Sequence, residues 1–445
     1  MTEYLRILHL NDLHSHFENY PKVKRFFQAE VLDTIEVLKL DLGDNIDKSH
    51  PLTDATAGRA NVELMNELGI QFATIGNNEG IGLAKAELDV VYDQANFQVI
   101  LGNLKDKRQQ PDWAQPYFIY ETRQGTKIAL LAYTFPYYAT YEPNGWTVEN
   151  PLDCLKADLA RDEVASADVR ILMSHLGVRY DEQIARDFPE IDLIIGSHTH
   201  HLFEEGEVVN GTYLAAADKY GYYVGEINLT LDNHQLQEAS IVAHATSQMP
   251  SDWRDQDWIE QTYERGRQLL SQEKIIDLPR DLSLAESCQL VMEAMMCYAD
   301  ADVCIMNSGL VVTPFEKNLT KASLQTALPH QMRLAKLNVT AKELADIYED
   351  IWTKGQLLAH QEIRGMGFRG KQFGNVLQAG FAYKNGKIVY NGKAIDEKKE
   401  LHLVLVDQYA FASYFDKVRQ HQAELLFPDL LREVVANYLT GHLEP

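Results

Sequence analysis

The sequence predicts an α/β protein in two parts: a layered sandwich over residues 1–250, then a smaller α+β domain. Three observations predict it. Short β-rich runs alternate with amphipathic segments through the first half. Polar residues recur at the carboxyl ends of those runs, the edge at which open α/β sheets bind ligands. Composition then turns polar across Ser247–Trp258, which carries Pro250 and two tryptophans. A chain of 445 residues also exceeds one ordinary core, so more than one domain is expected.

The elements follow in order. Leu5–Leu10 reads as a strand and Tyr20–Glu30 as a helix. Ile35–Leu42 is a β-rich run ending in Gly43-Asp44-Asn45. A helix over Arg59–Leu68 stops at Gly69, a suitable C′ glycine. Phe72–Ile75 ends in Gly76-Asn77-Asn78-Glu79. A helix at Ala84–Gln94 and a strand at Phe97–Leu101 come next. Tyr117–Glu121 and Lys127–Tyr133 form a hairpin about Gln124-Gly125. Asn150-Pro151 starts a helix, with Asn as N-cap and Pro at the first helical position. The strand Val169–Met173 delivers His175. A short helix at Glu182–Phe188 precedes the strand Asp192–Ile195, which ends in Gly196-Ser197-His198-Thr199-His200. Antiparallel strands are expected near Thr212–Ala217, Tyr223–Leu229 and Gln237–Ala243. A long helix, Ile259–Glu273, serves as a connector. In the second half, Ser283-x-x-Glu286 and Thr340-x-x-Glu343 are capping boxes for helices reaching Tyr298 and Trp352. Strands are expected at Val303–Met306, Arg333–Val339, Val376–Tyr383, Lys387–Tyr390 and Leu401–Val406.

Charge and composition exclude several classes. The formal net charge of −24 opposes non-specific binding to nucleic acid or anionic membranes. No run approaches the ~18 apolar residues of a membrane span. The N-terminus enters a strand without a basic segment and an apolar core, so no secretory signal is expected. Cys154, Cys288, Cys297 and Cys304 make no CxxC pair or disulfide framework. A cytoplasmic, reducing location is the expectation.

The polar strand ends carry the chemistry. In chain order they are Asp12 and His14, Asp44, Asn77, His175, then His198 and His200. Carboxylate, amide and imidazole donors of this kind suit hard and borderline divalent cations. Each piece alone has an ordinary explanation as a turn, a solvated loop or a core histidine. Five such pieces, each at a strand end, do not.

Asp-x-His, Gly-Asp, Gly-Asn, a single His and Gly-x-His-x-His, in this order, resemble the calcineurin-like metallophosphoesterase superfamily. With a connector and a second α+β domain, the chain resembles the bacterial 5′-nucleotidase/UDP-sugar hydrolase family, in its short cytoplasmic branch. The C-terminal likeness is looser: Asn307-Ser308-Gly309, Leu377-Gln378-Ala379-Gly380 and Asp407-Gln408-Tyr409. The resemblance implies a four-layer α/β/β/α metallophosphoesterase sandwich over 1–250, a helical linker over 251–282 and a substrate-binding domain over 283–445. It implies that Asp12, His14, Asp44 and His200 hold one divalent ion, that Asp44 bridges, and that Asn77, His175 and His198 complete a second site. Mn, Zn, Fe and Co all suit such ligands. The implied reaction is in-line attack of a metal-activated water on the phosphorus of a small-molecule phosphate ester, in the first place a nucleotide. Neither membrane attachment nor stable nucleic-acid binding is expected.

Two departures stand out. The family places a His after the ligand Asn, as a proton donor; here the residue is Asn78, followed by Glu79. An amide cannot act as a general acid, a role worth about 10²–10⁴-fold. Asn78, Glu79 and Asp44 are the catalytic positions expected, with Glu79, His16 and His201 as substitutes for the missing acid. In the second domain the family's first arginine is Val311. The substrate contacts expected are Asn307, Arg364 or Arg369, Phe373 beside Val376, and Phe411, Tyr414 or Phe415. Two alternatives accompany the hydrolase reading: a catalytically weakened phosphate-ligand-binding protein, for which Asn78 speaks, and a metal-dependent nuclease.

Overall fold

A computed structural model describes residues 2–29, 35–359, 361, 363 and 368–441. The chain divides into two compact units, Met1–Gly266 and Arg267–Pro445.

The first unit is built on two six-stranded mixed sheets. In one, Thr2–Leu10 lies between Glu36–Asp41, parallel to it, and Tyr223–Asp232, antiparallel to it. Phe72–Ala73 and Gln98–Val99 extend the parallel side, and Gln235–Ala245 closes the other edge. In the second sheet Lys127–Thr134, Val169–His175, Leu193–Gly196 and Thr212–Ala215 run parallel, flanked by the antiparallel edges Tyr117–Glu121 and Glu207–Val209. The expectation of an antiparallel strand near Thr212 is therefore corrected on one side. The antiparallel strand Glu207–Val209 runs the chain back before this strand begins, so it pairs in parallel with Leu193–Gly196.

Alternation along the strands makes the layers. Leu5, Ile7, Leu38 and Leu40 of the first sheet share a core with Ile128, Leu130, Ile171 and Ile195 of the second. The opposite faces carry helices. Leu8 and Leu10 pack with Val23, Phe27 and Met65, and Leu131, Leu172 and Ile194 with Leu155 and Ile184. This is the four-layer α/β/β/α sandwich. Its parallel strands bring their carboxyl ends, Leu10, Asp41, Ala73, His175 and Gly196, to the loops that bear the candidate ligands.

The helix Arg254–Gln272 begins in the first unit. There Arg25 grips Asp255 through two hydrogen bonds of 2.6 and 2.8 Å, and Tyr20 stacks on Trp258 at 4.9 Å.

The second unit holds a five-stranded sheet in the order Val376–Ala379, Val303–Asn307, Glu400–Val406, Leu334–Thr340, Glu424–Leu426. Helices Leu284–Ala299 and Ala341–Leu358 start at the expected capping boxes of Ser283 and Thr340. The single strand expected over Val376–Tyr383 is two strands, Val376–Ala379 and Ala382–Lys384. Gly380 breaks it: φ is +82°, and a Cβ there would lie 2.3 Å from the Asp302 carbonyl oxygen. No helix among the described residues is long and apolar enough to cross a membrane.

Candidate metal centre

Six side chains from four strand-end loops meet in the first unit, and Asn77 adjoins them through Asn78, whose N–H donates to Asp44. Asp12, His14 and His200 form one group, and Asp44, His175 and His198 another; within each, one ligand atom per residue lies within 4.8 Å of the others. Asp44 links them. Its Oδ2 is 3.4 Å from His175 Nε2 and 3.7 Å from His14 Nε2. Asp12 Oδ1 lies 3.6 Å from His200 Nε2 and 3.9 Å from His14 Nε2.

The loops are held in a conformation that L-residues rarely adopt. Asp12, His14, Asp44, His198 and His200 all have positive φ, between 46° and 71°. Such backbone persists only where its surroundings over-determine it, and it concentrates at functional sites. The surroundings are visible here. Ser197 Oγ donates to Asp12 Oδ2, and the His198 N–H donates to both Asp12 oxygens at 3.2 Å. The Asn78 N–H donates to Asp44 Oδ1 at 2.7 Å. His175 Nδ1 donates to the Leu42 carbonyl at 2.8 Å, which turns Nε2 toward Asp44.

Four buried polar atoms here have no hydrogen-bond partner: His14 Nε2, Asn77 Oδ1, His175 Nε2 and His198 Nδ1. An orphaned buried polar atom costs about 1–3 kcal/mol. Four at one point, all of them N or O donors able to ligate, are explained together by bound cations. The donor set therefore fits two divalent ions and does not choose between Mn, Zn, Fe and Co.

The electrostatics agree. Burial holds His198 at about 4 and His200 at about 3, so both rings are neutral and ready to ligate. Burial works against the charged ring of His175, yet Asp44 and Asp12 outweigh it and raise its pKa to about 10. Burial alone would raise Asp44, but His175 and His14 hold it below the ordinary carboxylate range. Without metal, a His175–Asp44 ion pair thus occupies the second site. His175 is raised above its ordinary 6.5, so its contribution to stability is complete below that pH and is lost as pH climbs toward 10. Cation binding needs the neutral ring and strengthens over the same interval. Chelated protein should therefore melt at a lower Tm at about pH 9 than at pH 6.5, while the gain in Tm on adding metal widens. A gain that shrinks with rising pH would contradict the assignment of His175.

Four expected catalytic groups need correction or refinement. Glu79 is no proton donor to a substrate. It is 1% exposed, and its oxygens accept from the N–H groups of Asp44 (2.9 Å), Ile46 (2.9 Å) and Gly76 (2.8 Å). Burial and the Asp44 charge raise its pKa, and two of these N–H groups act against the rise. It braces the Asp44 loop against the Gly76 loop. Asn78 faces His14: its amide end is 2.8 Å from His14 Nδ1 and 3.4 Å from Asp47 Oδ2. His16 stacks on Tyr220 at 3.7 Å, and His201 Nδ1 meets Thr199 Oγ1 at 3.0 Å on the exposed loop.

The expected substrate contacts of the second unit fare less well. Phe373 and Phe415 are 5% and 1% exposed and pack with Tyr409 in the core. Neither offers a face to a base; their apolar rings sit where the sheet and its helices need filling. Asn307 is buried too, donating to the Phe373 carbonyl and accepting from the Tyr409 hydroxyl at 2.8 Å. Phe411 and Arg369 are exposed, and Arg364 lies outside the described residues.

Sequence reasoning missed Asp47, Tyr137 and Tyr220. Asp47 Oδ2 lies 3.7 Å from His14 Nδ1. Tyr220 packs edge-on against His14 at 5.6 Å. The Tyr137 hydroxyl is 3.4 Å from His198 Nε2. A signal existed for Tyr137: Phe135-Pro136-Tyr137 follows directly on a parallel strand, the position that yielded the other site residues.

An α/β/β/α sandwich whose strand ends converge on two adjoining N/O ligand groups is the frame of a dinuclear metallohydrolase. The calcineurin-like phosphoesterase profile matches residues 5–202. The chain is 34% identical to the uncharacterized metallophosphoesterase YunD of Bacillus subtilis, over 98% of this chain and 99% of that one. It is 24% identical to a 5′-nucleotidase of Vibrio cholerae, over 79% and 76% of the two chains. Among solved structures, the NAD nucleotidase NadN of Haemophilus influenzae superposes with a TM-score of 0.67 at 16% identity, covering 99% of this chain and 97% of that one. The chain belongs to the calcineurin-like metallophosphoesterase family, whose members use a dinuclear divalent metal centre. It is a hydrolase of phosphoric esters.

Proposed function

We propose that this metallophosphoesterase hydrolyses nucleotides or nucleotide-derived phosphate monoesters. The observation that carries the chemistry is the set of four partnerless buried donor atoms around Asp44. Two divalent cations held there supply Lewis-acid neutralisation of phosphoryl charge and lower the pKa of water. The residues do the rest. Asp44 faces both groups and would be the ligand they share. Asp12, His14 and His200 would hold one ion; Asn77, His175 and His198 would hold the other. Glu79 holds the Asp44 main chain, the Asn78 N–H holds the Asp44 carboxylate, and Ser197 holds Asp12.

A cleft beside His14 supports a site there for the organic part of the ester. This cleft of about 500 Å³ has His14 in its wall, with His16, His50 and Tyr263 as ring surfaces and Glu18, Glu260 and Glu264 as carboxylates. Neither Lys nor Arg is among its lining residues. Like charges repel there, so a neutral nucleoside leaving group suits it better than an anionic phosphate. The 5′-nucleotidase of Vibrio cholerae among the relatives supports a nucleotide substrate. A role in nucleotide catabolism goes with that substrate, and a reducing cytoplasm suits four free cysteines.

The test is a substrate panel on protein carrying two metal equivalents: nucleoside monophosphates, nucleoside diphosphates, a nucleotide sugar, p-nitrophenyl phosphate and duplex DNA. Monophosphates are expected to show the highest kcat/KM, about tenfold or more above diphosphates, which corresponds to roughly 1.4 kcal/mol. DNA cleavage would favour the nuclease, against which the −24 charge speaks. No turnover of any ester at full metal loading would return the chain to the phosphate-binding reading.

A further inference from the structure

We propose that His50 reads the alcohol part of the ester: its Nε2–H donates a hydrogen bond to an oxygen or nitrogen acceptor on the leaving alcohol, in the cleft beside His14. The inference rests on the nucleotide-hydrolase reading and names a residue that sets its specificity.

One turn ties His50 to the candidate metal centre. The His50 N–H donates to the Asp47 carbonyl at 3.3 Å, and the Ser49 N–H to Asp47 Oδ1 at 2.8 Å. Asp47 Oδ2 lies 3.7 Å from His14 Nδ1. His14 and His50 both line the cleft of about 500 Å³, and every lining residue belongs to the first unit. A ligand that fills the cleft meets both.

The His50 ring is held edge-to-face by Phe17, at 4.7 Å, and by Tyr263, at 5.7 Å. Its two nitrogens have separate tasks. The Leu52 N–H donates to Nδ1 at 3.2 Å, where His50 precedes the short helix Pro51–Ala55. A nitrogen that accepts carries a lone pair, so the proton is on Nε2. Burial pushes the His50 pKa down to about 4, so the ring is neutral at neutral pH. Among the described residues Nε2 makes no hydrogen bond, and it is not one of the buried polar atoms left without a partner, so a solute in the cleft can reach it.

Capping needs only an acceptor, which Ser, Thr, Asp or Asn supplies with a shorter side chain. The imidazole adds a donor that the fold does not use. Glu18, Glu260 and Glu264 of the same wall are acceptors. A hydroxylated alcohol brings O–H groups for the carboxylates and an acceptor for His50. A nucleoside is such an alcohol; phenol is not.

The test is His50→Asn in the metal-loaded protein. Asparagine is a preferred N-cap, so the helix start is kept, and it is too short to place a donor where Nε2 stands. Kinetics are compared for a nucleoside monophosphate, ribose 5-phosphate and phenyl phosphate. The ratio of kcat/KM for the nucleotide to that for phenyl phosphate should fall about tenfold, mainly through KM, with two metal equivalents still bound. If ribose 5-phosphate falls with the nucleotide, the acceptor is on the sugar; if the nucleotide falls alone, it is on the base. Either result supports the proposal. His50→Gln, whose amide nitrogen reaches the Nε2 position, should recover most of the ratio although it is a poorer cap. An unchanged ratio in the Asn variant overturns the proposal. So does an equal fall for all three esters, since His50 would then act through the fold alone, or a ratio that stays down in a Gln variant of parental metal content. A parent that cleaves no nucleotide overturns the nucleotide reading and the proposal with it, and the parent assay alone shows which has failed.

Discussion

Asp44→Asn should lose metal and activity together. Asp44 is the residue whose carboxylate reaches both ligand groups, at 3.4 Å from His175 Nε2 and 3.7 Å from His14 Nε2. Asparagine keeps the shape and removes the charge. Its amide can ligate through one oxygen, but it cannot neutralise two cations or present two equivalent oxygens. Several kcal/mol of charge stabilisation depend on the cations, and each 1.36 kcal/mol is a factor of ten in rate. A fall of at least ~10³-fold in kcat/KM is expected, with bound metal dropping below one equivalent by elemental analysis. Full metal content at parental rate would remove Asp44 from the bridging position. A lower Tm should accompany the change in metal-free protein, because it removes the buried ion-pair partner of His175, whose ring then gives up its proton.

Gly76→Ala should be almost as damaging without replacing a candidate ligand. A Cβ at position 76 would lie 2.1 Å from Asp44 Oδ1 and 2.3 Å from His175 Nε2. Real Cβ atoms do not approach so closely, so both side chains must move by an ångström or more. Misplacement of about 1 Å at a reacting centre can cost on the order of 10²-fold. The variant should bind its second metal weakly and lose about two orders of magnitude in kcat. A shift of this size also disturbs the Gly76 N–H to Glu79 bond of 2.8 Å, so a lower Tm is expected with it. An alanine variant with two tight metals and ordinary kinetics would show that the loop is looser than the geometry implies.

Most of the candidate ligand set was legible in the chain because of one rule of sheet geometry. Parallel strands present their carboxyl ends to one edge, so a polar residue just past a buried run is already placed. Asp12, Asp44, Asn77, His175, His198 and His200 each follow such a run. Helix starts at Asn150, Ser283 and Thr340 were legible for an equally local reason: a capping side chain answers N–H groups two or three residues away. The role of Glu79 was not, because its partners at Asp44 and Ile46 are 35 and 33 residues distant. Phe373 and Phe415 misled for the converse reason. An aromatic residue has the same letter whether its face is open to a base or closed by Tyr409.

The sequence by itself therefore determined which donors reach the edge of the sheet, how the helices begin, and the class of chemistry that carboxylate, amide and imidazole donors support. Tertiary structure alone decided how those donors divide into two groups, that five of them sit on left-handed backbone, and which atoms remain without a partner. The physical reason is range. Hydrogen-bonding periodicity and capping act within a few residues. Strand order is non-local: it sets Thr2–Leu10 beside Glu36–Asp41 in one sheet and Val169–His175 beside Leu193–Gly196 in the other. That order carries Asp12 and His14 to Asp44 and His200, and brings Tyr137 against His198.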